Sequence, residues 1–233
     1  MTVTTALLPG RELNRPALRA KLAHQGVVQI AAFAEPGWAA AVREGLRNRP
    51  RGDWTVAVRA DGPVEYHRDL PRHRELIGDA TRRARAALVD GGFAYRFRRT
   101  FDDHGDACAC LDCEVRAALG APPVIELLND LGVPVTRPGE IFASGYGRGD
   151  FLGPHDDAGN GEIGFVLNLS RDWRPQQGGL LLFLDRDRSR VRMACVPTFN
   201  TLCLFRLPRD RGLPHMVTEV VAGVRHAVTG WFR

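Results

Sequence analysis

Apolar and polar positions along this chain follow two rhythms, and the change falls near residue 139. Before it, apolar residues recur mostly at helical spacing. Leu13, Leu18 and Leu22 mark a helix over 11–24, and Pro36 after Glu35 opens an amphipathic stretch through Leu46. Residues 74–90 set Leu76, Ile77, Ala80, Ala84, Ala87 and Leu88 among Arg and Glu, which predicts a third helix, and shorter helices are expected at 112–119 and 123–131. Between them Val27 to Ile30 reads as a strand. Trp54–Val58 and Val64–Tyr66, around Asp61-Gly62-Pro63, read as a hairpin, and Phe93 to Phe101 alternates aromatic with basic residues like a strand.

After residue 139 the apolar runs become short and are separated by Gly, Pro and Asp: IFASGY, IGFVLNL, GLLLFL, RMACVP, TLCLFRL, HMVTEVV and RHAVTGWFR. Seven such runs in this space predict a β-sandwich or a barrel-like roll. The expected layout is one α+β domain over 1–233. Residues 1–138 supply mixed helical and stranded support and the region around the substrate entrance, and residues 139–233 form the β-roll.

Bulk properties narrow the function classes. At 233 residues, 44% hydrophobic and 25% charged, the chain has an ordinary globular composition with enough length for a substantial core. No apolar run approaches the roughly 20 residues of a membrane span. The first residues lack a basic segment followed by a long apolar one, so no secretory signal is expected and a cytoplasmic location is. The net charge is +5, but the arginines are scattered and Lys21 is the sole lysine. A nucleic-acid binder would concentrate its basic residues in a stripe, so no nucleic-acid partner is expected. Five cysteines, an odd number, argue against a disulfide framework.

The chemistry-bearing residues lie in the C-terminal half. In His155-Asp156-Asp157 the first and third residues project to one side of an extended backbone, so an imidazole and a carboxylate could address one divalent ion. Two histidines and one carboxylate with open positions opposite suit non-haem Fe(II). The pair alone is a common chance occurrence. The second histidine must come from elsewhere, and His215 opens an apolar run 60 residues later. Arg225, among Val, Trp and Phe, needs an anionic partner if buried. A core Asp or Glu would serve, and so would the carboxylate of a keto-diacid, which the planar guanidinium can grip with two parallel bonds.

Gly145-Tyr146, Gly149-Asp150-Phe151-Leu152, His155-Asp156-Asp157, Leu167-Asn168-Leu169-Ser170, Trp173, Gly178-Gly179-Leu180, Pro197-Thr198-Phe199-Asn200, Leu204-Phe205, His215-Met216-Val217 and Arg225 to Phe232 occur in order over about residues 139–233. Together they resemble the prolyl-hydroxylase-like branch of the 2-oxoglutarate/Fe(II) oxygenases. The resemblance implies a double-stranded β-helix, or jelly roll. It assigns His155, Asp157 and His215 to iron and Arg225 to the distal carboxylate of 2-oxoglutarate. It adds Tyr146, Asn200 and Thr229 as further residues of the co-substrate pocket. Many members carry a small hydroxyl residue two positions after the arginine. Here it is Ala227, which shifts the expected second contact to Thr229 or Tyr146. The cofactors implied are Fe(II), 2-oxoglutarate and O2, with ascorbate as a reductant. Some relatives replace the carboxylate ligand by Gly or Ala and halogenate. Asp157 favours hydroxylation, with release of succinate and CO2.

Length and the stretch from Trp173 to Gly179 look similar to stand-alone bacterial amino-acid hydroxylases related to the amino-acid halogenases. A free amino acid or similar small metabolite is therefore the expected substrate. The alternatives are a prolyl or other residue within a peptide or protein, and a non-catalytic roll that binds metal or an anion. Other residues receive simpler expectations. Cys108, Cys110 and Cys113, with His104 upstream, are read as free thiols rather than a zinc site, because Cys108 and Cys110 are spaced too closely for the usual ligand pair. His226 should face away from the iron, Trp173 should be a core or edge aromatic, and Arg98 and Arg99 are read as solvated charges, with contact to an acidic substrate as the alternative.

Overall fold

The computed structural model describes residues 13–101, 104, 108–207 and 212–233. Helix α1 (Arg15–Gln25) begins where Asn14 accepts a hydrogen bond from the Ala17 amide and Pro16 occupies the first turn. Positions 11 and 12 of the predicted helix lie outside the described residues. Strand β1 (Val27–Ala31) follows, then α2 (Pro36–Asn48), capped by the Glu35 carboxylate on the Trp38 amide. The hairpin is β2 (Thr55–Ala60) and β3 (Glu65–Arg68). Helix α3 (Arg74–Val89) turns Ile77, Ala80 and Ala84 onto Val56, Val58 and Phe151. Then come β4 (Ala94–Arg99), α4 (Leu111–Leu119) and α5 (Pro122–Asp130).

The C-terminal half consists of β5 (Pro138–Tyr146), β6 (Phe151–His155), β7 (Ile163–Asn168), β8 (Leu181–Leu184), β9 (Val191–Cys195), β10 (Thr201–Arg206), β11 (His215–Val217) and β12 (Arg225–Phe232). All pairings are antiparallel, in the order β1-β10-β7-β12-β5-β4-β6-β11-β8-β9, with β2 and β3 continuing outward from β4. This curled antiparallel sheet with helices against it is the double-stranded β-helix.

Strand β4 splices the two wings. Its Arg98 and Arg99 pair with Gly145 and Ser144 of β5, while Tyr95 and Arg96 pair with Leu152 and Phe151 of β6. Two apolar layers result. The outer one packs α1, α2, α4 and α5 on Ile163, Phe165, Leu167, Val228 and Phe232. The inner one lies inside the roll and gathers Phe97, Phe142, Val166, Leu181, Phe183, Phe205, Val217 and Ala227 from both wings. Burial on both faces explains why β7 reads as a continuous apolar run rather than an alternating one.

The sequence pattern omits β6, whose FLGPH is interrupted by Gly153 and Pro154. The glycine is required there: a Cβ on Gly153 would lie 2.7 Å from the Ala94 carbonyl oxygen of β4. Gly178 behaves as expected for a close approach between sheets. Its φ is +71°, and a Cβ would stand 1.9 Å from the Glu219 carbonyl oxygen. Among the described residues no helix is long and apolar enough to cross a membrane.

Candidate active site

Strand register brings the two histidines together. His155 at the end of β6 is the direct cross-strand partner of His215 at the start of β11, and their rings lie 4.2 Å apart. Each imidazole is oriented by its own backbone two residues upstream: Nδ1 of His155 lies 3.0 Å from the Gly153 carbonyl oxygen and Nδ1 of His215 lies 2.9 Å from that of Leu213. A carbonyl only accepts, so Nδ1 carries the proton and Nε2 is left as a free donor of electrons. Both Nε2 atoms face the carboxylate of Asp157, at 3.6 Å for His155 and 3.4 Å for His215. A divalent ion about 2.1 Å from each donor needs neighbours roughly 3 to 3.5 Å apart, so the three groups fit one ion.

The electrostatics agree with that use. Burial, helped by the neighbouring His215, lowers the pKa of His155 to about 4, so its ring is neutral near pH 7. Burial alone would raise the pKa of Asp157. The hydrogen bond and charge of His215, then His155 and the Trp231 indole, outweigh it and keep the group a carboxylate. The indole Nε1 of Trp231 donates to Asp157 Oδ2 at 3.1 Å, and the Phe93 ring stacks on His155 at 4.9 Å. Hydropathy pattern alone does not single out Trp231 or Phe93. Trp231 could have been found from the two-residue alternation of β12, in which 225, 227, 229 and 231 share a face.

That face of β12 opens into a cavity of about 840 Å³, partly open to solvent, which the triad also lines. Arg225 is 2% exposed and lies beneath the Tyr146 ring, 5.3 Å from its centroid. Its Nη2 reaches Asn168 Oδ1 at 3.4 Å, while Nε and Nη1 are buried with no hydrogen-bond partner among the described residues. Burial pulls the pKa of the guanidinium below its ordinary value. The core Asp or Glu that could have paired it does not appear among the described residues, and a buried guanidinium with two unused donors calls for an anion.

The remaining predicted residues divide. Tyr146 and Thr229 line the cavity, although the Thr229 hydroxyl already donates to the Phe165 carbonyl at 2.9 Å. Asn200 does not line it. Its amide accepts from the Ala34 amide at 2.8 Å and donates to the Ala34 carbonyl at 2.7 Å, and its φ of +55° is a turn conformation that asparagine tolerates. The expectation that Asn200 faces the co-substrate pocket is corrected: this side chain locks the Ala34 loop to the start of β10. His226 points the other way, stacked on Trp54 at 6.0 Å, as the alternation requires. Trp173 is an edge aromatic whose Nε1 donates to the Gly178 carbonyl at 2.9 Å. Arg98 and Arg99 are not solvated: Arg98 pairs with Asp69 at 2.8 Å, while Arg99 pairs with Glu140, lies over the Phe142 ring and lines the cavity.

A sequence model described as the 2OG-Fe(II) oxygenase superfamily matches residues 141–233. No curated protein sequence matches the chain. Among solved structures, a Pseudomonas putida prolyl-4-hydroxylase is similar at 23% identity and a TM-score of 0.61, over 94% of this chain and 98% of that one. A 2OG-Fe(II) oxygenase family oxidoreductase from Burkholderia pseudomallei is similar at 16% identity and 0.62, over 98% and 95%. A Trichoplax adhaerens prolyl hydroxylase, solved with a hypoxia inducible factor oxygen degradation domain peptide fragment, is similar at 20% identity and 0.61, over 94% and 88%. At these identities the structures speak for the fold, and the sequence match speaks for the chemistry. Residues 141–233 match the sequence pattern of the 2OG-Fe(II) oxygenase superfamily, and with the converging His155, Asp157 and His215 this makes the chain a 2-oxoglutarate-dependent non-haem iron dioxygenase on a prolyl-hydroxylase-like fold, with Fe(II), 2-oxoglutarate and O2 as its cofactors.

Proposed function

We propose that this enzyme hydroxylates an unactivated C–H bond of a free amino acid or similar small carboxylate metabolite, releasing succinate and CO2. In this reading His155, Asp157 and His215 hold the iron, and Arg225 holds the distal carboxylate of 2-oxoglutarate. The observation that carries it is the joint presence, in one cavity, of three converging metal donors and a buried guanidinium with two unused donors. Bound there, the iron supplies activation of O2 at the expense of 2-oxoglutarate and removal of hydrogen from the substrate.

The protein's own part is positioning. The backbone carbonyls of Gly153 and Leu213 fix the tautomers of the two histidines, and the Trp231 indole fixes one oxygen of Asp157. Tyr146 closes one side of Arg225, and the aromatic wall of Phe93, Tyr95, Phe97 and Phe142 excludes water around the reacting carbon. Arg99 faces the same space with its guanidinium paired to Glu140, which places a polar group on an otherwise aromatic wall. The 1–233 chain acts here as one oxygenase domain, the N-terminal half giving part of the substrate wall.

A second reading, hydroxylation of a prolyl residue in a peptide, is favoured by the same aromatic wall, which fits a pyrrolidine ring, and by the fold shared with prolyl hydroxylases. One experiment separates the two. The protein is incubated with Fe(II), ascorbate and 2-oxoglutarate against each amino acid and against proline-containing peptides, and succinate is measured with substrate mass. The proposal expects succinate coupled to a gain of one oxygen on a free amino acid. Product on the peptides alone replaces it by the second reading, and no coupled product with either class sinks both.

A further inference from the structure

Beyond the iron site, four metal-ligating side chains converge at the other end of β4. His104, Cys108 and Cys110 lie on the connection from β4 to α4, and Cys113 lies in the first turn of α4. His104 Nδ1 is 3.0 Å from Cys110 Sγ and 3.4 Å from the sulfurs of both Cys108 and Cys113, and the sulfurs of Cys110 and Cys113 are 3.7 Å apart. All four ligand atoms fall within 4.8 Å of one another.

Hydrogen bonding does not account for this. One ring nitrogen offers a single proton or a single lone pair, yet three sulfurs crowd it. Disulfide bonding does not either, because the sulfurs stand well beyond the roughly 2.05 Å of an S–S bond and the cysteines are free. A tetrahedral zinc does. With bonds of about 2.3 Å to sulfur and about 2.05 Å to nitrogen, its edges are about 3.8 Å for S···S and about 3.6 Å for S···N. The observed spacings match those edges to within a few tenths of an ångström, apart from the tighter 3.0 Å contact.

The close spacing of Cys108 and Cys110, which argued against a metal from the sequence, is resolved by local conformation. Cys110 is the extended residue before α4, with φ −78° and ψ 166°. Extended backbone turns residues two apart to the same side. Cys110 and Cys113, at helical spacing, then complete the cluster from the helix side.

We propose that His104, Cys108, Cys110 and Cys113 form a structural Cys3His zinc site, separate from the iron site. Three thiolates and an imidazole are a soft donor set that selects zinc over the harder ions. Four protein ligands leave no open position, so the site binds and does not catalyse. On binding, the three thiols release their protons to solvent. The site fastens the connection that follows Phe101, on whose ring the Arg99 guanidinium lies at 4.9 Å. It also anchors the start of α4, already tied to α2 through Arg49 and Asp112 at 2.7 Å. Zinc would thus hold the outer end of the strand that lines the substrate cavity.

The test is metal content and a cobalt spectrum on the full chain. The protein purified without chelator is expected to carry about one zinc per chain. Asp157→Ala should keep that zinc, and Cys110→Ser and Cys113→Ser should lose it. Zinc-free protein titrated with Co(II) should develop thiolate-to-cobalt charge transfer and the strong visible bands of tetrahedral cobalt, in the wild type and in Asp157→Ala alike. If the cysteine variants fail to fold, the cobalt spectrum of these two proteins decides. Zinc that disappears with Asp157→Ala, cobalt bands without a thiolate component, or an iron–sulfur chromophore in place of zinc would each overturn the proposal.

Discussion

The indole Nε1 of Trp231 donates a hydrogen bond to Oδ2 of Asp157 at 3.1 Å, joining the last strand of the roll to the carboxylate between the two histidines. Partners of this kind orient a metal ligand, and removing one typically weakens metal affinity 10- to 100-fold. Trp231→Phe keeps most of the ring and deletes the donor. Iron affinity, measured by titration of the metal-free protein, should fall by about that factor, while the affinity for 2-oxoglutarate at saturating iron changes far less. Unaltered iron affinity would remove Trp231 from any positioning role.

Arg225→Ala should act on the other half of the site. Losing a buried charge-assisted contact costs about 2–5 kcal/mol. At about 1.4 kcal/mol per tenfold, the requirement for 2-oxoglutarate should rise roughly 30-fold or more. Steady-state succinate formation against 2-oxoglutarate concentration reads this directly. An unchanged KM would move the co-substrate away from Arg225.

Asn200 gives the opposite expectation. Asn200→Ala strips two partners from the buried backbone of Ala34 and leaves alanine at a φ of +55°. Each orphaned group costs about 1–3 kcal/mol. Chemical denaturation should show a loss of that order, with the KM for 2-oxoglutarate of the folded fraction unaltered. A raised KM at full stability would return Asn200 to the pocket.

His226 links the fold to pH. Burial first, then the charges of Arg43 and Arg98, lower its pKa from 6.5 to about 4. Between those values the unfolded chain binds a proton that the folded chain does not, so stability is full above about pH 6.5 and declines as pH falls toward 4. His155 adds to the same decline in the iron-free protein, because its pKa is lowered in the same direction. The midpoint of thermal unfolding, followed across that range, should drop less steeply in His226→Phe than in the parent. Equal slopes would show that His226 is not held neutral by the fold.

The four residues from which the iron and co-substrate sites were read, His155, Asp157, His215 and Arg225, were legible because their types and order are unusual together, and the structure draws all four around one cavity. Helices α2 and α3 were legible from their periodicity. Strand β6 was not, because Gly153 answers to the neighbouring Ala94 carbonyl rather than to strand propensity, and Pro154 beside it further interrupts the apolar run. Asn200 was misplaced because a residue serving a turn 166 positions away looks, in one dimension, like any polar residue in a roll. The convergence of Cys108, Cys110 and Cys113 on His104 was not legible because spacing rules assume regular turns, whereas Cys110 is extended at a helix boundary.

Strand β4 carries Tyr95, Phe97 and Arg99 to the cavity from outside the stretch 141–233, which holds the three proposed iron donors and Arg225. Part of the proposed substrate wall is therefore encoded apart from the iron donors and Arg225, which share their stretch with Phe142. Changes to three side chains on one spliced strand could redirect the enzyme to a new substrate while its oxidative machinery passes unaltered from ancestor to descendant.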